Sequence, residues 1–281
     1  MTSHRHAHKH THKHTHRPPA LILVAGHWLG GWAWQQVVDH LTNAGLQGVA
    51  LTLPGLDAAD PARATRTLAE QADAIAEVAA HLAAENIENT ENTENAASAK
   101  PILVAHSGAN GPASIALDRR PDLFGRVVWV DSGPVSPGGV FDPTFPDSAE
   151  QLALPAFDVL STRASLAGLS AADLERFRRH AVPEPGPVIR GVVELHNPAR
   201  RHVPSTLVCC SISGRQLMAM AHAGHPMFAE VTTLTDLTIV DLPTGHWPMW
   251  SRPRDLARLL IDAAVPTPAP SSTASTPPPG L

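Results

Sequence analysis

The sequence predicts an α/β domain: a doubly wound, mostly parallel sheet with helices on both faces and a helical lid insertion. Two observations carry this reading. Short apolar runs at 20–26, 48–53, 102–105, 126–130, 205–212 and 237–242 alternate with segments of helical periodicity. The runs are continuously apolar, which marks strands covered on both faces; a strand with one wet face alternates instead. Size agrees, because 281 residues with 43% hydrophobic and 17% charged side chains suffice for a large buried core.

Each element follows in turn. Residues 20–26 form the first strand and enter a Gly/Trp turn. A helix over 32–44 places Trp34, Val37, Val38 and Leu41 on one face. The strand 48–53 stops at Pro54-Gly55. Thr67 with Glu70 three residues on is a capping box, and Leu68, Ala72, Ile75, Ala79 and Leu82 give the helix behind it one apolar face. Strand 102–105, helix 111–120 and strand 126–130 come next. After an interruption, strands 205–212 and 237–242 and the helix 254–264 resume the alternation.

Residues 134–203 are the interruption. They are rich in Pro and Gly and hold one clear helix, 170–179, opened by Ser170 and Asp173 as a capping box. An insertion on the carboxyl side of such a sheet covers the crevice where ligands bind, so it reads as a lid. Three segments do not read as folded. Residues 1–19 alternate histidine (His4, His6, His8, His10, His12, His14, His16) with other residues, 86–99 repeat Glu-Asn-Thr, and 265–281 are rich in Pro, Ser and Thr. The domain is therefore 20–264.

A net charge of −5, with Arg5, Lys9, Lys13 and Arg17 gathered in the tail, speaks against a nucleic-acid binder. No run of 18 apolar residues offers a membrane span. Cys209 and Cys210 are adjacent and cannot form an ordinary disulfide, and the first apolar segment is too short for a signal peptide. The location expected from these signs is cytoplasmic.

Chemistry concentrates where strand 102–105 meets its helix, in Ala105-His106-Ser107-Gly108-Ala109. A serine on a tight strand-turn-helix corner exposes its Oγ and has the next amide aimed at the same spot. The plainer role for such a serine is to cap the helix. The segment resembles the nucleophile elbow of the α/β-hydrolase fold, with alanine replacing both glycines of the usual Gly-x-Ser-x-Gly. That resemblance implies Ser107 as nucleophile and the Gly108 N–H as an oxyanion donor.

Two further segments extend the resemblance. Ala25-Gly26-His27-Trp28-Leu29-Gly30-Gly31-Trp32 is similar to the family's oxyanion loop, with Ala25 in place of the usual histidine; it implies the His27 N–H as second donor. Trp32 matches an aromatic position of plant esterase and hydroxynitrile-lyase relatives and is read as a core aromatic. Leu242-Pro243-Thr244-Gly245-His246-Trp247-Pro248-Met249-Trp250 resembles the catalytic-histidine loop and implies His246 as base. Most family members carry the acid after the seventh strand, yet Ser213-Gly214-Arg215-Gln216 follows here and no acid appears until Glu230. Other members carry it after the sixth strand, where Asp131 stands. The order Ser107, Asp131, His246 is then the family's own. Glu230 and Asp236 are the rival acids.

The resemblance covers 20–264 apart from the lid. It implies a serine hydrolase acting on small or medium apolar carboxylic esters, with no cofactor. Trp28, Trp247, Trp250 and Phe177 either line an acyl pocket or pack under the lid. A hydroxynitrile lyase or cofactor-free perhydrolase reuses the same triad, and Lys100 is the only lysine beyond the tail to assist a lyase. A non-catalytic ligand- or metal-binding protein is the third class. Histidines at i, i+2 can hold Ni²⁺, Cu²⁺ or Zn²⁺ loosely, but no metal is expected in the chemistry. Oligomeric state is not legible.

Overall fold

A computed structural model describes residues 18–88 and 100–264, leaving aside the side chains of 86–88. The histidine-rich segment, most of the Glu-Asn-Thr segment and the segment 265–281 lie outside the described residues. Six strands form one parallel sheet: β1 (Leu21–Val24), β2 (Gly48–Leu51), β3 (Ile102–His106), β4 (Arg126–Val130), β7 (Ser205–Cys209) and β8 (Leu237–Asp241), in the order β2-β1-β3-β4-β7-β8. Between β4 and β7, β5 (Gln151–Leu152) and β6 (Glu184–Pro185) make a small antiparallel pair. The central strands β1, β3 and β7 are buried throughout, and β4 from its second residue on. The edge strands β2 and β8 are only partly covered. The apolar runs are thus those of a parallel sheet, but β1 and β2 end two residues, and β7 three residues, before the runs do.

The helices are α1 (Gln35–Asn43), α2 (Leu68–Glu88), α3 (Asn110–Arg119), α4 (Phe157–Leu160), α5 (Ala171–His180), α6 (Gly186–Ile189), α7 (Gly214–His222), α8 (Pro248–Ser251) and α9 (Pro253–Ala264). Val37 and Leu41 of α1 and Leu256 and Leu260 of α9 pack with Leu21, Leu23 and Val104 on one sheet face. Ile75 and Leu82 of α2, Ala113 and Leu117 of α3 and Leu217 of α7 pack with Ile22, Leu103 and Trp129 on the other. The doubly wound, three-layer α/β architecture is the one expected.

Local signals account for the ends. Glu70 accepts the Thr67 amide (2.7 Å) while Thr67 Oγ1 accepts the Glu70 amide (3.2 Å), which closes the capping box of α2. That helix runs on to Glu88, three residues into the segment read as a loop. Pro19 is buried, so packing starts one residue before 20. Trp34 ends a 3₁₀ turn, Gly31–Trp34, and α1 begins after it. Ser170 and Asp173 cap α5 as foreseen, and the four residues Ser213 to Gln216 prove to be the capping box of α7. The segment 134–203 contains α4, α6 and the β5–β6 pair besides α5; these elements are two to four residues long, too short to show periodicity.

Candidate active site

Parallel strands deliver their carboxyl ends to one edge, and the candidate residues meet there. Ser107 follows β3 with φ +50°, Asp131 follows β4 with φ +45°, and Trp28 follows β1 with φ +67°. Among the described residues no other non-glycine has a positive φ. Left-handed backbone in an L-residue persists only where its surroundings enforce it, and strain gathers at functional sites. The loop after β1 approaches the elbow closely: a Cβ on Gly26 would fall 2.7 Å from Ser107 Cβ and 3.0 Å from the Gly108 amide nitrogen. Glycine at 26 is what lets the His27 and Gly108 segments lie side by side.

A continuous row of hydrogen bonds joins three of the candidates. Ser107 Oγ lies 2.7 Å from His246 Nε2, and His246 Nδ1 lies 2.5 Å from Asp131 Oδ2. With Nδ1–H donating to the carboxylate, Nε2 is left to accept the serine proton. Asp131 also accepts the Cys210 amide (3.0 Å), the Ser211 amide (2.8 Å) and the Ser211 hydroxyl (2.7 Å). The loop after β7 thus supplies no acid, but it supplies donors to the acid that β4 extends toward it. Burial pushes the Asp131 carboxyl up, yet hydrogen bonding and charge from His246, with the Ser211 bonds, outweigh it and hold the group below its ordinary value.

His106 braces this row from below. Its Nδ1 accepts the Gly26 amide (3.3 Å), which leaves Nε2–H to donate to the His246 carbonyl (2.7 Å). One buried ring therefore ties the loop after β1 to the loop that carries His246. Burial, with the nearby His246, pushes His106 down to about 3, so it is neutral. The His246 amide in turn donates to the Ser165 carbonyl (2.8 Å) of the segment between β4 and β7. Burial pushes the Cys209 thiol up to about 12 and raises that of Cys210 as well, so neither competes as a nucleophile.

Of the four aromatic candidates, Trp28, Trp247 and Trp250 lie beneath the inserted segment, and Phe177 belongs to it, on α5. Phe177 is fully buried and sets its ring against Trp247 (5.4 Å) and Trp250 (5.2 Å). Trp247 meets the His246 ring edge-on at 4.9 Å. Trp250 donates to the Ala33 carbonyl and Trp28 to the Leu152 carbonyl, so both have packed, satisfied indoles. Trp32, expected in the core, packs at its edge, partly buried and stacked on Trp250. The rival acids lie elsewhere: Glu230 is paired with Arg200 and Arg201, and Asp236 neighbours the amino end of β7, opposite Ser107. Lys100 precedes β3 and is on that same far side. His106, Ser211 and Glu184, a buried carboxylate 3.1 Å from His27 Nδ1, join the site without having been singled out in the sequence. For His106 the signal was its place between strand and serine; for the other two there was none.

Residues 21–259 match the alpha/beta hydrolase family. Among solved structures, an extracellular α/β-hydrolase from a Paenibacillus species is 16% identical and superposes with a TM-score of 0.66 over 88% of this chain and 99% of its own. A methylesterase from Arabidopsis is 17% identical, with a TM-score of 0.63 over 87% of this chain and 98% of its own. A pyrethroid hydrolase from Sphingobium faniae is 18% identical, with a TM-score of 0.61 over 88% and 97%. No curated protein matches the sequence. No described helix is long and apolar enough to cross a membrane. The chain belongs to the alpha/beta hydrolase family.

Proposed function

We propose that the protein is a serine hydrolase that cleaves small or medium, largely apolar carboxylic esters. The observation that carries this is the unbroken row Ser107–His246–Asp131. His246 Nε2 takes the proton from Ser107 Oγ as the oxygen attacks the ester carbonyl. The amides of His27 and Gly108 receive the oxyanion of the tetrahedral intermediate. His246 then protonates the leaving alcohol, and the bond between the acyl carbon and the alcohol oxygen breaks. A water molecule, deprotonated by the same imidazole, releases the acid from Ser107. Asp131 holds the imidazole in the required tautomer and balances its charge when protonated. Trp28, Trp247 and Trp250 form the apolar wall, and residues 134–203 form the lid, which contributes Phe177 to that wall. No step calls for a cofactor. A lysine-assisted lyase finds no support, since Lys100 precedes β3, roughly 20 Å of extended chain from Ser107. The adjacent, free Cys209 and Cys210 favour a cytoplasmic setting.

A fluorophosphonate probe tests the nucleophile. It should label the wild-type protein on Ser107, and Ser107→Ala should lose both the label and the turnover of p-nitrophenyl esters. Equal labelling of the alanine variant, with the adduct on Ser132 or Ser211, would sink the assignment.

A further inference from the structure

The loop that carries His246 is held through its backbone from three sides. The Thr244 amide donates to the Cys210 carbonyl (3.2 Å), which ties the loop to the end of β7. The His106 ring holds the His246 carbonyl from below (2.7 Å). The third hold comes from the inserted segment, between α4 and α5. There the Gly245 amide donates to the Ala167 carbonyl (3.1 Å) and the His246 amide to the Ser165 carbonyl (2.8 Å). The peptide groups that lead into the catalytic imidazole therefore end on the lid and not on the sheet.

The two stretches lie too close for a side chain between them. A Cβ on Gly245 would fall 2.3 Å from the Ala167 carbonyl oxygen and 2.7 Å from that of Ser165. Both are backbone atoms, so no change of rotamer makes room. Gly168 is the matching residue on the lid. It takes the third place of a turn that the Leu169 amide closes onto the Leu166 carbonyl (3.2 Å), with φ +82°, the left-handed value a type II turn requires there. A Cβ on it would meet Ser251 Cβ at 2.8 Å and Thr244 Oγ1 at 3.2 Å. Those two residues close the His246 loop on itself, with their hydroxyls 2.7 Å apart.

We propose that residues 165–168 are a positioning clamp for His246, and that Gly245 and Gly168 are the positioning residues that let it close. The proposal rests on the reading of Ser107 as nucleophile and His246 as base. The imidazole must meet Ser107 Oγ and Asp131 at once, and a displacement of about 1 Å at such a group costs roughly 10²-fold in rate. The segment that covers the site thus also sets its base, and His246 is aligned only while that segment is seated.

The test reads kcat per active site, counted by fluorophosphonate labelling so that unfolded protein does not enter. Gly245→Ala should lower kcat by roughly 10²-fold and leave KM within about threefold. Gly168→Ala pushes on the same contact from the lid and should lower kcat in the same sense; it decides the matter if Gly245→Ala does not fold. In both variants the low-field proton resonance of His246 Nδ1–H on Asp131 should shift or vanish, a signature that a purely structural contact leaves in place. Gly125→Ala is the control. Its Cβ also meets a carbonyl, that of Lys100 (3.0 Å), but at the amino edge of the sheet, and its kcat and resonance should match the wild type. A kcat within about twofold of wild type in Gly245→Ala and Gly168→Ala would overturn the clamp. So would a loss confined to KM, or a fall in kcat with the resonance unchanged. Failure of the fluorophosphonate to label Ser107 in the wild type would overturn the nucleophile, and the clamp with it.

Discussion

In the proposed mechanism Asp131 orients the imidazole and His246 moves the proton, and a substitution at Asp131 tells the two apart. The Asp131 amide donates to the Val208 carbonyl (2.8 Å) and continues the sheet, so Asp131→Asn keeps the backbone in place. The asparagine still accepts from Ser211, but it offers His246 Nδ1 no charge and can force the wrong tautomer. The expected result is a kcat lower by roughly 10³–10⁴-fold with KM little changed, read from steady-state kinetics on a p-nitrophenyl ester. His106 acts through stability. Its folded value of about 3 lies below its ordinary 6.5, so the unfolded chain binds the proton more readily between those limits. Stability linked to the neutral ring is complete above pH 6.5 and falls as pH drops toward 3. At pH 5 the wild type should have lost about 2 kcal/mol from this source. His106→Gln should show a flatter acid limb in urea melts at pH 5 and 7.5, and parallel limbs for the two proteins would refute the buried neutral ring. Both residues were visible in the sequence, but only Asp131 could be given a task there. The role of His106 depends on the Gly26 amide and the His246 carbonyl, 80 and 140 residues away, which no local pattern records.

At the scale of elements, α5 shows how the inserted segment joins the site. Its N-terminus is fixed by the Ser170 capping box, and Phe177 is its one buried side chain. Phe177→Ala should lower stability by about 3–5 kcal/mol, the range for an aromatic truncated in a packed core. Because the ring backs Trp247, which touches His246, the ratio of hexanoate to acetate turnover should also change. A uniform loss for all chain lengths would place Phe177 in folding alone. The elements that could be read ahead were those with a full period: α2 and α5 each pair a capping box with an apolar face. Strands β1, β3 and β4 were legible because burial on both faces leaves continuous apolar runs. The elements of the inserted segment were not, since β5, β6, α4 and α6 span four residues or fewer and are held by contacts with distant loops. The helix α7 was not legible for another reason: Ser213 to Gln216 makes a good cap, but the stretch falls where the family resemblance implies an acid.

The whole molecule is closed on the side away from the sheet's α1–α9 layer by a buried ion cluster. Asp118, at the end of α3, accepts the His196 and Asn197 amides and pairs with Arg200 (3.2 Å). Arg200 also pairs with Glu230 (2.8 Å), which Arg201 reaches as well (3.1 Å). Three stretches of chain meet here: the helix after the elbow, the return of the inserted segment into β7, and the crossover from α7 to β8. Asp118 lies eight residues past Asn110, about 12 Å along the axis of α3, so the cluster is set back from Ser107. Arg200→Met removes the shared cation and leaves two carboxylates buried, with only Arg201 in partial compensation. The expected loss is about 3–5 kcal/mol. Glu230→Gln, which keeps the hydrogen-bonding shape and leaves Arg200 paired with Asp118, should cost less. Both variants, assayed well below their melting temperatures, should retain kcat/KM within about twofold of wild type. A Glu230→Gln protein that melts normally and has lost ester turnover would move the acid of the proposed mechanism from Asp131 to Glu230.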